Sequence, residues 1–297
     1  MKYSEYGLFF ESQMVMGVLS EAHHLVSLMR SGELTPPERA AVGRALAELG
    51  DPRPGVGVSP DSVPEIYWVD IPAGEFVYQE GDRLQMPSFC IARYPITYLQ
   101  FQAFVEAEDG FADERWWEGL VVREPKPDEQ PCPYANHPRE NVSWCAAVAF
   151  CRWLSAQLGE QVRLPTEEEW ERVTRGPEGR TYPWGETYLS GSANLAEVAG
   201  RAGQYEINRT TAVGIYPEGE TAEGVLDLIG NVWEWCLNEF WDAENIGVEG
   251  DARRVMRGGS WSCSPREVSA LSRELDLPDY GYAGVGFRVV RGAQPHP

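Results

Sequence analysis

The first fifty residues have the apolar spacing of helices. Between residues 9 and 30, apolar side chains recur every three or four positions, which is the period of one helical face. A second helix is predicted over residues 35–50, with Thr35 as its N-cap, Pro36 at its first position and Gly50 at its end. The chain therefore opens with two predicted helices.

The pattern changes after a proline- and glycine-rich stretch at residues 50–65. Short strand-like runs such as "IYWVDIPAGEFVY" then alternate with turns, and three helices are predicted over residues 97–108, 143–159 and 165–176. In the last of these, Thr166 and Glu169 have the spacing of a capping box. We therefore divide the chain into an N-terminal helical segment with its linker, residues 1–60, and a larger domain, residues 61–297.

From about residue 177 onward the chain has little periodicity, with short strand runs such as "RVMRGG" and "GFRVVR". Irregular backbone cannot satisfy all of its own hydrogen-bonding groups, so a long segment of this kind needs internal clamps. Either buried polar networks or metal ions could provide them. The expected class is α+β, with small twisted antiparallel sheets, two flanking helices and much irregular loop.

Composition excludes several classes of protein. The hydrophobic fraction is 43%, which is enough for a packed core, and the formal net charge is −21. So strong a negative charge argues against nucleic-acid binding and against docking on anionic lipid. No apolar run approaches membrane-spanning length, and the N-terminus lacks the basic start of a signal peptide. We expect no membrane insertion and, by default, a cytoplasmic location.

The six cysteines have no short metal-binding spacing such as C-x-x-C. In a reducing compartment most cysteines of a chain this size are small buried hydrophobes. Cys263 stands apart because it lies in the glycine-hinged stretch "GGSWSCSPREV", residues 258–268.

Eight motifs occur in an order that resembles the formylglycine-generating enzyme, or sulfatase-modifying factor, family. They are "IPAGEF", "FCIARYPITYLQFQAFV", "HPRENVSWCAAVAFCRWL", "RLPTEEEWERVTRG", "YPWG", "LDLIGNVWEWC", "RVMRGGSW" and "GFRVVR". The resemblance covers about residues 65–291 and does not extend to the N-terminal helices. It implies an elaborated C-type lectin fold.

The same resemblance implies a structural calcium site in "GNVWEW". Asn231 and Glu234 match that site and would offer oxygen ligands, which calcium prefers, while Gly230 permits a tight turn. A second family calcium site would start at Asn194, with Glu206 as the acidic residue nearby. The alternative is that these side chains only bond loop amides.

Enzymes of this family oxidise a peptide cysteine to formylglycine with oxygen, and the resemblance implies a pair of cysteines that binds copper(I). Cys263 matches the first cysteine, whereas Val268 stands at the second position. One thiolate cannot provide the two soft ligands that copper(I) prefers. The related sulfoxide synthases need three histidines for iron, and only His137 and His296 follow the N-terminal helices. We therefore assign no catalytic residue unless Cys263 serves an oxidase.

The segment 261–288 differs in composition from the family motifs at its two ends. Small and polar residues alternate with apolar residues that we expect to be anchors, namely Val268, Leu271, Leu275, Leu277 and Val285. Patches rich in Ser, Tyr, Gly and Asp are typical of binding surfaces. The predicted ligand-binding residues are Ser262, Cys263, Ser264, Arg266, Ser269, Ser272, Asp276, Tyr280, Gly281, Tyr282 and Ala283.

This segment also resembles the variable proteins of diversity-generating retroelements, which use the same type of fold. That resemblance implies a prophage or bacterial protein that binds a protein or other macromolecular ligand through its C-terminal face. Glu267 and Glu274 would be fixed positions, because adenine mutagenesis of asparagine codons does not produce glutamate. An ordinary surface loop has the same composition, so this alternative stays open.

Three functions are therefore considered. The first is a display protein that presents a diversifiable binding surface, and the second is a copper-dependent oxidase acting on a peptide cysteine. The third is an inactive regulatory module in which the N-terminal helices serve as a docking element.

Overall fold

The two N-terminal helices form as predicted. The computed structural model describes residues 3–292, and for residues 3–16 it describes the backbone alone. Helix α1 spans Tyr3–Arg30 and α2 spans Pro36–Leu49. Thr35 precedes α2, and its backbone N–H and hydroxyl both donate to the Glu38 carboxylate, at 2.8 and 2.7 Å.

These helices pack directly on the larger domain. Ala22, Met29 and Leu46 form a small core with Ala212, Ile215 and Tyr216. The approach is close, because a Cβ at Gly43 would lie 2.7 Å from that of Ala212. The boundary proposed at residue 60 stays a prediction, but the preceding segment is held against the domain that follows.

The three predicted inner helices are confirmed, and so is the capping box predicted at Thr166 and Glu169. They are α3 (Tyr98–Glu106), α4 (Trp144–Leu158) and α5 (Glu167–Arg175). The side chains of Thr97, Ser143 and Thr166 cap them by accepting a backbone N–H from the first turn. Helices α3 and α4 contact each other through Phe101, Phe104 and Phe150, and Phe287 joins this aromatic cluster.

Within residues 3–292, ten short strands make two four-stranded sheets and one hairpin. The strands are β1 (Trp68–Ile71), β2 (Gly74–Tyr78), β3 (Asp82–Met86), β4 (Phe89–Ala92), β5 (Val162–Arg163), β6 (Trp233–Glu239), β7 (Arg254–Arg257), β8 (Arg273–Asp276), β9 (Val285–Gly286) and β10 (Val290–Arg291). The sheet orders are β1-β4-β10-β5 and β8-β7-β6-β9, with β2-β3 as the hairpin. All pairs are antiparallel except β6 with β9. The α+β class is confirmed.

Two strands lie where loop was expected. Strand β6 includes part of the "GNVWEW" motif, and its interior residues are buried on both faces, so no alternation marked it in the sequence. Strand β8 lies inside the segment 261–288 and is an edge strand that pairs with β7. The binding segment therefore contains a sheet edge as well as loops.

Buried ion pairs serve as the internal clamps that the irregular backbone requires. Arg257 lies between Glu167 and Glu171, at 2.6 and 2.7 Å, and all three side chains are fully buried. Arg288 makes two bonds of 2.6 and 2.7 Å to the carboxylate of Glu234. Because both partners of each pair are buried, removal of one would leave an uncompensated charge.

Among the described residues, none of the helices combines the length and apolar character that crossing a membrane requires.

Candidate binding face

A buried frame holds both ends of the binding segment. Residues 258–260 and 284–290 are buried. The Trp261 N–H donates to the carbonyl of Asn231 at 3.1 Å, and the Trp233 N–H donates to the carbonyl of Gly284 at 2.7 Å. The segment thus leaves and rejoins the core at two neighbouring points beside β6.

Glu140 joins these two points and was missed by sequence reasoning. Its Oε2 accepts the Gly284 N–H at 2.7 Å and the indole N–H of Trp261 at 3.3 Å. Glu140 is buried, and desolvation raises the pKa of its carboxyl, while the two hydrogen bonds oppose that rise. Its position inside the "HPREN" motif gave no signal, because the partners come from residues more than a hundred positions away.

All eleven predicted binding residues are accessible to solvent. Four are exposed, namely Ser262, Arg266, Tyr280 and Ala283, and the other seven are partly exposed: Cys263, Ser264, Ser269, Ser272, Asp276, Gly281 and Tyr282. Val268 and Val285 are buried as expected of anchors. The expectation that Leu277 is an anchor is wrong, since its exposed fraction is 41%. It follows β8 directly, where the chain turns away from the sheet.

The beginning of the segment packs on the loop at residues 196–201. The Cys263 carbonyl accepts the Ala196 N–H at 2.9 Å, and an Nη of Arg266 donates to the Arg201 carbonyl at 3.0 Å. Ser264 lies against Gly200, where a Cβ would be 2.5 Å from the serine hydroxyl. The loop at residues 196–201 therefore supports the turn that contains Cys263.

Ser269 and Ser272 stabilise the next turn through local hydrogen bonds. The Ser272 hydroxyl accepts the Ser269 N–H at 2.9 Å and donates to the Glu267 carbonyl at 3.0 Å. The Ser269 hydroxyl accepts the Leu271 N–H at 3.2 Å, so both side chains stabilise the backbone of this turn. The hydroxyl of the exposed Ser262, in contrast, bonds the Ser260 hydroxyl, at 3.0 Å.

The end of the segment presents two tyrosines and then a glycine contact. The rings of Tyr280 and Tyr282 lie 5.9 Å apart. Between them, Gly281 rests on the backbone of α4's start, where a Cβ would come within 2.9 Å of Ser143 N and Val142 C. Because those atoms are backbone, Gly281 has no room for a larger side chain, although it was predicted to be a binding position.

The two ends of the segment lie against each other. A Cβ at Gly284 would be 3.0 Å from the Cβ of Ser260 and 3.5 Å from the indole nitrogen of Trp261. Burial, together with electrostatic repulsion from Asp276, Glu274 and Cys263, raises the pKa of Tyr282 to about 12.

Cys263 is a single thiol in this surface. Its Sγ lies 3.4 Å from the Ser260 N–H and 3.5 Å from the Ser260 hydroxyl. Val268, at the position of the family's second cysteine, is buried and fills the space above Gly259, where a Cβ would be 2.7 Å from the valine methyls. Within the described part of the chain no group of three or more His, Cys, Asp or Glu residues is arranged to hold a metal.

The residues predicted to bind calcium are engaged with protein groups. Asn231 and Asn194 do lie together, since Asn231 Oδ1 accepts an N–H from the Asn194 amide at 3.1 Å and another from the Thr211 backbone at 3.0 Å. Both carboxylate oxygens of Glu234 bond Arg288, and one also accepts the indole N–H of Trp170 at 2.9 Å. This donor set does not fit a calcium ion unless those bonds are exchanged, and calcium binding stays a prediction.

Comparison with known proteins places the chain in a family. Residues 58–293 match the family described as "Sulfatase-modifying factor enzyme 1-like domain". The chain is 27% identical to the formylglycine-generating enzyme of Mus musculus, over 88% of this chain and 86% of that enzyme. It is 32% identical to the inactive C-alpha-formylglycine-generating enzyme 2 of Bos taurus, over 54% of this chain and 52% of that protein.

The fold is also similar to that of a solved variable protein. Variable protein 1 of Treponema denticola superposes with a TM-score of 0.56 and 20% identity, over 76% of this chain and 95% of that one. At this identity the similarity concerns the fold alone. Since the family match covers most of the sequence, the chain belongs to the sulfatase-modifying factor enzyme 1-like family.

Proposed function

We propose that this protein binds a protein or other macromolecular ligand through its C-terminal face and that the face is open to sequence diversification. The observation that carries the proposal is the division of the segment 261–288 into a buried frame and accessible positions. All eleven predicted binding residues are at least partly exposed, while residues 258–260 and 284–290 are buried. Exposed positions on a rigid support tolerate substitution with little cost in stability.

Deep sequencing of codons 255–291 from a population of host cells tests this proposal. Substitutions should concentrate at accessible positions such as 262, 264, 272, 276, 280 and 282, and the frame should stay unchanged. Codons 144–154, which encode the buried part of helix α4 in the same domain, provide the matched control. A segment as invariant as that control would overturn diversification.

The alternative function, oxidation of a peptide cysteine, rests on Cys263. This thiol is partly exposed, as a reactive group must be, but Val268 offers copper no second ligand. The residues present do not fit a two-thiolate copper site, and we derive no oxidation step from them. Incubation with copper(I), oxygen and a cysteine peptide, followed by mass spectrometry, would show formylglycine if this alternative were correct.

Calcium is proposed only as a structural ion. Asn231, Asn194 and Glu234 would contribute oxygen ligands to it after exchanging their present partners. Isothermal titration of metal-free protein with calcium tests this. We expect weak binding, because calcium would have to break the buried ion pair between Glu234 and Arg288. An unchanged melting temperature with calcium and with a chelator would contradict a structural role.

A further inference from the structure

The start of helix α5 carries an unusual run of glutamates, and one of them differs from the rest. Glu167 pairs with Arg257 and Arg273, Glu169 pairs with Arg163, and Glu171 pairs with Arg257 and Arg175. Within the described residues, Glu168 makes no ion pair. The donors around its carboxylate are neutral: the amide of Asn238, at 3.3 and 3.5 Å from the two carboxylate oxygens, the hydroxyl of Thr166 and its own backbone N–H.

Glu168 is nevertheless removed from much of the solvent. Desolvation raises the pKa of its carboxyl and the negative charge of Glu167 adds to that rise, although hydrogen bonds from the backbone, Thr166 and Asn238 oppose it. A partly buried carboxylate without a cation is costly, since the low-dielectric surroundings disfavour the charged form. Glu167, Glu169 and Glu171 each have at least one arginine counter-ion, whereas Glu168 has none among the described residues.

The Glu168 side chain lines an open cavity of about 470 Å³ between β3, the start of α5 and the loop after β6. One wall is apolar, made by Leu84 and Met86, which lie on the same face of β3, together with Ile246. The volume lies in the range of roughly 300–1,000 Å³ that is usual for small-ligand sites. None of the eleven predicted binding residues contributes to this cavity.

A second carboxylate is present at the rim. Glu244 is exposed and lines the same cavity, so an incoming cation would meet an acceptor at the entrance and another inside. The amide of Asn238 is already engaged with the protein on both sides. Its oxygen accepts the Glu167 N–H at 2.7 Å, and its NH₂ donates to the Ala243 carbonyl at 2.6 Å.

We propose that this cavity binds a primary alkylammonium group, with the ammonium on Glu168 and the aliphatic chain against Leu84, Met86 and Ile246. An ammonium supplies the positive charge that Glu168 lacks, and it donates hydrogen bonds that the carboxylate can accept. A short aliphatic chain matches the apolar wall, because burying it removes apolar surface from water. The chemistry is common to a free alkylamine and to a lysine side chain of a partner.

The test is an NMR titration of the full chain with n-hexylammonium chloride, following the backbone amides of Leu84, Glu168 and Ala243. The neutral n-hexanol has the same chain without the charge and serves as the comparison ligand. The substitution E168Q removes the carboxylate charge with little change in shape. E80Q removes an exposed carboxylate at the tip of the β2-β3 hairpin, outside the cavity lining, and is the matched control.

We expect n-hexylammonium to shift those amides with a dissociation constant at least about ten-fold lower than that of n-hexanol, as a charge-assisted hydrogen bond implies. E168Q should abolish that preference, whereas E80Q should retain it. E168Q should also leave the melting temperature unchanged or raise it, because the uncompensated charge is removed. Equal binding of the amine and the alcohol, or an amine preference that survives E168Q, would overturn the proposal.

A third ligand identifies the source of the ammonium. If Nα-acetyl-lysine amide binds at least as tightly as n-hexylammonium, the cavity takes a lysine side chain, and if it binds more weakly, a free amine is the better ligand. Both outcomes retain the alkylammonium site. The proposal is independent of the C-terminal face, so an invariant segment 261–288 would leave it standing.

Discussion

The carboxylate of Glu140 should hold the binding face in place, and its removal provides the sharpest test of the frame. E140A would leave the Gly284 N–H and the Trp261 indole N–H without their acceptor. A buried donor without a partner costs about 1–3 kcal/mol. The Gly284 bond, at 2.7 Å, should contribute about 2 kcal/mol, and the 3.3 Å bond to half-buried Trp261 about 1 kcal/mol.

The total expected loss is about 3 kcal/mol in the free energy of unfolding. For a chain of this size that corresponds to a melting temperature lower by about 6–10 °C. E140Q keeps one oxygen acceptor and should lose only about 1 kcal/mol, since a neutral hydrogen bond replaces a charge-assisted one.

Urea denaturation and amide hydrogen exchange measure the two consequences separately. Exchange at Gly284 should become faster by about 100-fold in E140A, because a local opening that costs 3 kcal/mol less is about that much more populated. E80A, at an exposed position, is the control and should change stability by less than about 0.5 kcal/mol. If E140A unfolds at the wild-type urea concentration and Gly284 exchanges at the wild-type rate, the frame does not depend on Glu140.

Three further outcomes follow from the same structure. V268C should fold, with a free energy of unfolding lower by about 1 kcal/mol because a buried methyl group is missing. It should produce no formylglycine from a cysteine peptide with copper(I). Detection of formylglycine by mass spectrometry would favour the oxidase. G281A should lower the free energy of unfolding, measured in urea, by more than about 1 kcal/mol, because the added Cβ meets backbone atoms. The control A283S, at an exposed position, should lower it by less than about 0.5 kcal/mol. Equal stability of the two variants would refute the contact at Gly281. Burial lowers the pKa of His137 to about 3, so its stabilising effect is complete above pH 6.5 and is lost as the pH falls toward 3. The wild type should therefore lose about 2 kcal/mol from this residue between pH 8 and pH 5, and H137Q should not; equal losses in urea titrations would contradict the assignment.

The helices and the family were predictable from local signals. Ser143 and Thr166 are caps that act within one turn of their own position, so the sequence alone located the helices that follow them. The ordered motifs identified the lectin-type fold for a similar reason, since each motif is contiguous. The accessible positions of the segment 261–288 were also found from composition, because small and polar residues are common at exposed sites.

Contacts between distant residues were not predictable from the sequence. Strand β6 is buried on both faces and has no alternating pattern, and Leu277 is apolar yet exposed because β8 ends just before it. Gly281 has the composition of a variable position, but the backbone at Val142 and Ser143 closes the space around it. Each of these outcomes depends on a neighbour far along the chain.

The helices, the family and the position of the proposed binding segment were predictable from the amino-acid sequence alone. Which side chains support that segment, and which charges remain uncompensated, depends on tertiary packing. Glu140 and Glu168 illustrate the difference, since both are glutamates in ordinary motifs. One accepts hydrogen bonds from residues 121 and 144 positions away, and the other lines a cavity without a counter-ion. Burial and pairing are set by the packing of distant elements, and a local pattern cannot encode them.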